Sequence, residues 1–136
     1  TKAPPEKDGW TVGIERPSRE MLGTISISNT ALSTSGDSYQ FFEEGNVRHA
    51  HLIDPSSGKP MSNRLNVTTL ARSAMLADAW ATALRISTQE NALKLANETK
   101  GIEATFIPFE KRARFTTAFP KLKKLHQSAS KQSPGN

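Results

Sequence analysis

Two oxygen-bearing side chains one helical turn apart raise the first question of chemistry. Asp78 and Thr82 stand in an otherwise small and apolar stretch from Ser73 to Ile86, with Trp80 between them. Positions i and i+4 share a helical face, so a carboxylate and a hydroxyl placed there can point at one spot. Both are hard oxygen donors of the kind Mg²⁺ prefers, and Mg²⁺ takes few protein ligands, filling its octahedron with water and phosphate. The same spacing suits an Asp78 that caps or pairs nearby and a Thr82 that merely packs, and spacing alone leaves both readings open. His49 and His51 are the second feature. On a strand they share one face with Ile53, while Ala50, Leu52 and Asp54 take the other. Two such histidines can bind zinc, but no third ligand of the right type lies near, and the remaining histidine is His126, in the basic tail. Each is then either a structural residue or a general acid or base beside a reactive hydroxyl. Ser33 to Asp37 could hold a nucleophilic serine but lacks the strand–turn–helix context of a G-x-S-x-G elbow. The sequence has no Walker-type loop and no G-x-G-x-x-G, so a nucleotide bound here is held by another device. With no cysteine, disulfides, thiolate metal sites and a cysteine nucleophile are excluded, and cysteine usage leaves the compartment open.

The elements that must position these groups follow from periodicity and punctuation. Residues 1–9 are rich in proline and charge and read as an irregular lead-in. Trp10 to Ile14 alternates as a half-buried strand that Pro17 stops, and Thr24 to Asn29 alternates again with Ile25 and Ile27 on one face. Ser33 to Asp37 is small and polar and reads as a turn, in which Gly36 allows positive φ or a close backbone approach. Tyr39 to Glu43 and Val47 to Ile53 read as the two strands of a hairpin around Glu44-Gly45-Asn46. Asp54 to Pro60 is punctuation throughout, and Leu65 to Leu70 is β-rich. Ser73 to Ile86 is alanine-heavy and free of Gly and Pro, which predicts a helix. A second helix is predicted from Thr88 to Lys100, capped by Ser87 or Thr88 and stopped by Gly101. Ile102, Ala104 and Phe106 alternate in a strand that Pro108 ends. Strands in hairpins, then two helices inserted before the last strand, predict an α+β fold with a mainly antiparallel sheet.

Bulk composition limits the classes of function. The 136 residues suit one domain with a modest core, since hydrophobic residues make up 35% and aromatics 7%. No apolar run approaches the roughly 18–20 residues of a membrane span, and no apolar stretch follows Thr1 to Pro5 as a signal peptide requires. The net charge of +5 is unevenly spread: residues 111–136 hold seven of the 18 basic side chains and none of the 13 acidic ones. That leaves 11 bases against 13 acids in residues 1–110, a slightly acidic body with a basic tail. Such a tail reads as a solvated end, so no nucleic-acid partner is expected. The division expected is a lead-in over 1–9, a domain over 10–119 and a basic, disordered tail over 120–136.

Five segments in order resemble the ApbE family, the FAD:protein FMN transferases. They are the Trp-x-Val-Gly-Ile-x-x-Pro strand from Trp10 to Pro17, the Leu-Ser-Thr-Ser-Gly-Asp segment from Leu32 to Asp37, and the aromatic pair Phe41 and Phe42. Then come the His-x-Ile-Asp-Pro-x-x-Gly-x-Pro signature from His51 to Pro60 and the Ala-Asp-x-x-Ala-Thr helix of Ala77, Asp78, Ala81 and Thr82. The resemblance covers the C-terminal part of a typical member. Nothing like the family's upstream Asp-Leu-Gly-Gly-x-x-Lys-Gly segment occurs here, so the chain is expected to be part of a larger ApbE-like fold.

The resemblance implies a set of roles. FMN would pass from FAD to a Thr or Ser hydroxyl of an acceptor flavoprotein, with AMP leaving. Asp78 and Thr82 would ligate Mg²⁺, with a further ligand from the missing N-terminal region. His51 would activate the acceptor hydroxyl, while Ser35, Gly36 and Ile53 would line the flavin pocket. Family members commonly carry Tyr-Ser before the motif histidine, where this chain has His49-Ala50, a departure from the pattern at positions that could bond to His51. The implied compartment is the periplasm, with a lipid anchor on the inner membrane. The alternative function is a domain that binds FAD or another nucleotide without transferring anything, and this chain alone is expected to be inactive.

Overall fold

The computed structural model describes residues 2–39 and 41–124. Strands β1 (Trp10–Glu15) and β2 (Met21–Ile27) form an antiparallel ribbon. β3 (Ala31–Ser35) pairs with β6 (Leu65–Ala71), β6 with β7 (Glu103–Pro108), and β7 with β8 (Arg114–Phe115), giving a four-stranded antiparallel sheet in the order β3-β6-β7-β8. β4 (Phe41–Glu44) and β5 (Val47–Ala50) make a separate hairpin. Helices α1 (Ala74–Ile86) and α2 (Gln89–Glu98) lie in the chain between β6 and β7. The fold is therefore α+β and antiparallel, as the order of sequence patterns indicates.

Every residue of β6 is buried, because both faces of the sheet are covered. Alternation sends Leu65 and Val67 to the helix side, where they meet Leu84, Ala92, Ala96 and Phe106, with Trp80 and Leu93 at the margin. Leu70 and Ile107 face the opposite side and pack with Ile14 and Ile25 of the β1–β2 ribbon. Alanines at 77, 81, 92 and 96 on the helices and at 104 on β7 are fully buried, small residues interspersed among the larger ones of this layer. A buried Phe such as Phe106 contributes roughly 1.5–3 kcal/mol of apolar transfer to this core. Helix α1 starts where Ser73, in extended conformation, accepts a bond from the Leu76 N–H at 3.3 Å. After α2, Gly101 takes φ +82°, the left-handed turn that returns the chain toward β7.

The structure corrects the sequence reading in four places. Ser33 to Ser35 belongs to strand β3 rather than to a turn. Its small polar side chains have the composition of a loop, whereas pairing with β6 fixes them as a strand, with Thr34 and Thr68 sharing a hydroxyl bond of 2.8 Å. The β4–β5 hairpin loop is two residues, Gly45 and Asn46, both at positive φ, so Glu44 pairs with Val47. β5 ends at Ala50, which takes His51 off the strand. Finally, β8 follows β7, held as Thr116 accepts from the Ala104 N–H at 3.0 Å. Beyond it Leu122 packs on the ribbon side of the core and Lys123 bridges to Thr24. The rest of the tail, with His126, lies outside the described residues.

Candidate active site

α1 presents Asp78 and Thr82 to a cleft of ≈ 410 Å³. The helix supplies the spacing, and β3 runs beside it to form the adjoining wall. Ser33 on β3 donates its hydroxyl to Asp78 Oδ1 at 2.9 Å, so one carboxylate oxygen is oriented by the neighbouring strand. Thr34, Ser35 and Gly36 continue that wall. Gly36 is required by close approach, not by its φ: a Cβ there would meet Asn66 Oδ1 at 2.1 Å. Asn66 cannot easily yield, because it is buried, accepts from Ser38 Oγ at 3.1 Å and donates to the Glu15 carbonyl at 3.3 Å.

His51 reaches the same cleft from the segment after β5. Of the residues singled out in the sequence, Asp78, Thr82, His51, Ser35 and Gly36 thus come together. His49 does not join them: it stacks on its cross-strand partner Phe42 with ring centroids 4.8 Å apart. Ile53 does not line this cleft either. It is half exposed and bridges to Pro60 across the Asp54–Pro60 loop. That loop is closed by Asp54, whose carboxylate accepts from the Ser56 N–H and the hydroxyls of Ser56 and Ser57 at 2.8–2.9 Å. Those bonds, the Ser56 hydroxyl foremost, hold the Asp54 pKa below its usual value.

Sequence reasoning missed Glu15, Ser38 and Tyr39, which complete the cleft. Tyr39 donates to Glu15 Oε2 at 3.2 Å, and the Arg19 guanidinium sits 4.6 Å from the centre of its ring. The hydrogen bond to Glu15 is the main reason the phenol pKa is raised. A carboxylate at the end of the apolar β1 strand was the one local signal for this group. The pairing with Tyr39 spans 24 residues and has no sequence period.

The donor set decides what the cleft can hold. The carboxylates of Asp78 and Glu15, hydroxyls including that of Thr82, and no sulfur suit a hard dication, and Ser33 bonds one Asp78 oxygen, Oδ1. Among the described residues, no group of three or more His, Cys, Asp or Glu side chains comes together to hold a metal ion. Mg²⁺ fits that sparse arrangement better than zinc, since it relies on phosphate and water for most of its shell.

Comparison with known proteins agrees with this architecture. The ApbE family matches residues 1–106. A FAD:protein FMN transferase of Vibrio cholerae is 40% identical over 108 residues, which is 75% of this chain and 30% of that protein. Among solved structures, the ApbE protein of Thermotoga maritima superposes with a TM-score of 0.76 at 25% identity, covering 85% of this chain and 38% of its own. The apo flavinyl transferase ApbE of Pseudomonas stutzeri gives 0.67 at 32% identity, covering 85% and 37%. The chain spans about a third of the length of the curated relatives it matches.

Proposed function

This chain belongs to the ApbE family, and on that premise we propose that the complete protein transfers FMN from FAD to a Thr or Ser hydroxyl of an acceptor protein. The observation that carries the proposal is the meeting of Asp78, Thr82 and His51, from a helix and a post-strand segment, in one cleft. In the reaction the acceptor oxygen bonds to the FMN-side phosphorus of FAD. The bond from that phosphorus to the bridging oxygen breaks, and its electron pair leaves with AMP. Asp78 and Thr82 would hold Mg²⁺, which when bound supplies positive charge against the diphosphate. Ser33 keeps the Asp78 carboxylate turned toward the cleft. His51 takes the proton from the acceptor hydroxyl as attack proceeds. Ser35 and Gly36 form the wall against which the flavin lies, and Gly36 lets that wall pack directly on the buried Asn66.

The test uses the complete protein with FAD, Mg²⁺ and an acceptor domain carrying a target Thr or Ser. Intact-mass measurement of the acceptor is expected to show one added FMN. This chain by itself should add none, because it brings only Asp78 and Thr82 to the metal. FAD bound tightly with no mass gained by the acceptor would favour the binding domain without transfer.

A further inference from the structure

Behind the cleft wall lies a charged cluster that the reaction as described does not use. Asp37 follows Gly36 and precedes Ser38, both of which line the cleft, yet its own side chain is buried, with 3% of the residue exposed. Two guanidinium groups converge on it. Arg85 of α1, fully buried, brings Nη2 to 3.9 Å from Oδ1, and Arg48 of β5 brings Nε to 3.6 Å from Oδ2. Arg48 Nη2 also donates to the Asp37 carbonyl. Each guanidinium is anchored from its own side: Arg85 Nη2 donates to the Asn63 carbonyl at 2.8 Å, and Arg48 lies 3.4 Å from the centre of the Phe41 ring. Oδ1 of Asp37 accepts no hydrogen bond, so charge more than directed bonding holds the cluster together. Burial lowers the Arg85 pKa and Asp37 opposes that shift, as a mutually dependent pair requires.

The placement of the two arginines matters because of what each element carries. Asp78, Thr82 and Arg85 are spaced i, i+4, i+7, one stripe along α1. β3 and the residues after it run alongside that stripe, clasped at Ser33–Asp78 and again at Asp37–Arg85. Four residues of extended chain and seven of helix cover similar distances, roughly 13 and 10 Å, so both clasps can close at once. On the other side, Arg48 stands three residues before His51, on the last strand to precede it.

We propose that Asp37 is a positioning residue: through Arg85 and Arg48 it ties the helix bearing Asp78 and Thr82 to strand β5, which leads directly into His51, and so sets the distance across the cleft. This rests on the functional reading above, but its structural consequence can be measured without any ligand. The experiment records nuclear magnetic resonance spectra of the ligand-free complete protein, following the His51 ring and the Thr82 amide, and then its transfer rate. Arg48→Gln should move the His51 signals and leave Thr82 in place. Asp37→Asn should move both, and Glu44→Gln, at the exposed hairpin tip, neither. Transfer by Arg48→Gln should fall at least tenfold at saturating FAD, with the half-saturating Mg²⁺ concentration unchanged. If Arg48→Gln does not fold, Arg48→Met, which keeps apolar contact with Phe41, reads the same signals. A folded Arg48 variant whose His51 signals coincide with those of the parent overturns the inference. A parent protein that transfers no FMN overturns the functional reading instead, and the His51 signals still decide the role of Asp37.

Discussion

At the scale of single residues, the account turns on groups that act in the transition state and groups that only bind. In the proposed reaction proton removal by His51 would accompany bond formation, whereas FAD affinity would depend on the metal and the walls. His51→Gln in the complete protein is therefore expected to lower the transfer rate about 10²–10⁴-fold while FAD affinity changes by no more than about threefold. His49→Gln, whose side chain stacks on Phe42 outside the cleft, should leave the rate near that of the parent. Rapid-quench transfer rates together with FAD titrations check this. Loss of binding without loss of saturated rate would make His51 a wall. The i, i+4 relation of Asp78 and Thr82 was legible in the sequence because it is local and helical. A shared face for His49 and His51 requires a strand running on to Ile53, and β5 ends at Ala50, so the local period carries no information about where His51 goes.

At the scale of elements, the strand carrying the small polar residues is where sequence reasoning failed and structure is most specific. Ser33, Thr34 and Ser35 have turn-like composition, but β6 and α1 both demand a strand there, so tertiary contact outweighs local preference. Gly36 at its end predicts a sharp intolerance. Gly36→Ala must displace a buried, doubly bonded Asn66, so it should cost roughly 1–3 kcal/mol of stability. Chemical denaturation of parent and variant measures it, and equal stabilities would show that Asn66 moves aside freely. The Asp54 loop makes a separate prediction about pH. Its carboxylate pKa is lowered on folding, so the stability it contributes is complete above the unfolded value of about 3.8 and lost as pH falls through the folded value. Amide exchange at Ser56, whose N–H bonds Asp54 Oδ1 at 2.9 Å, should stay slow, after allowance for intrinsic rates, down to about pH 4 and lose protection below it. Loss beginning above pH 5 would point to a different group.

At the scale of the whole molecule, the class of fold and the order of its elements were legible because period, Gly and Pro punctuation and the alanine-rich helix all agree. The tertiary groupings were not. Glu15, Tyr39 and Asp78 converge only once the ribbon, the sheet and α1 have stacked, and no spacing in the chain announces it. Arg85 was read as part of a helix and nothing more, yet it is fully buried beside Asp37. Breaking such a pair from one side typically costs about 3–5 kcal/mol. The central claim is that Asp78 holds the metal on which transfer depends. The measurement that tests it most directly is the initial rate of FMN transfer by the complete protein as Mg²⁺ is titrated, for the parent and for Asp78→Asn. An amide is a weaker ligand and removes one compensating charge, so the variant should need at least about tenfold more Mg²⁺ or show no transfer, with its thermal stability without metal nearly unchanged. Superimposable Mg²⁺ titrations for the two proteins would contradict the account and leave Asp78 as a structural partner of Ser33.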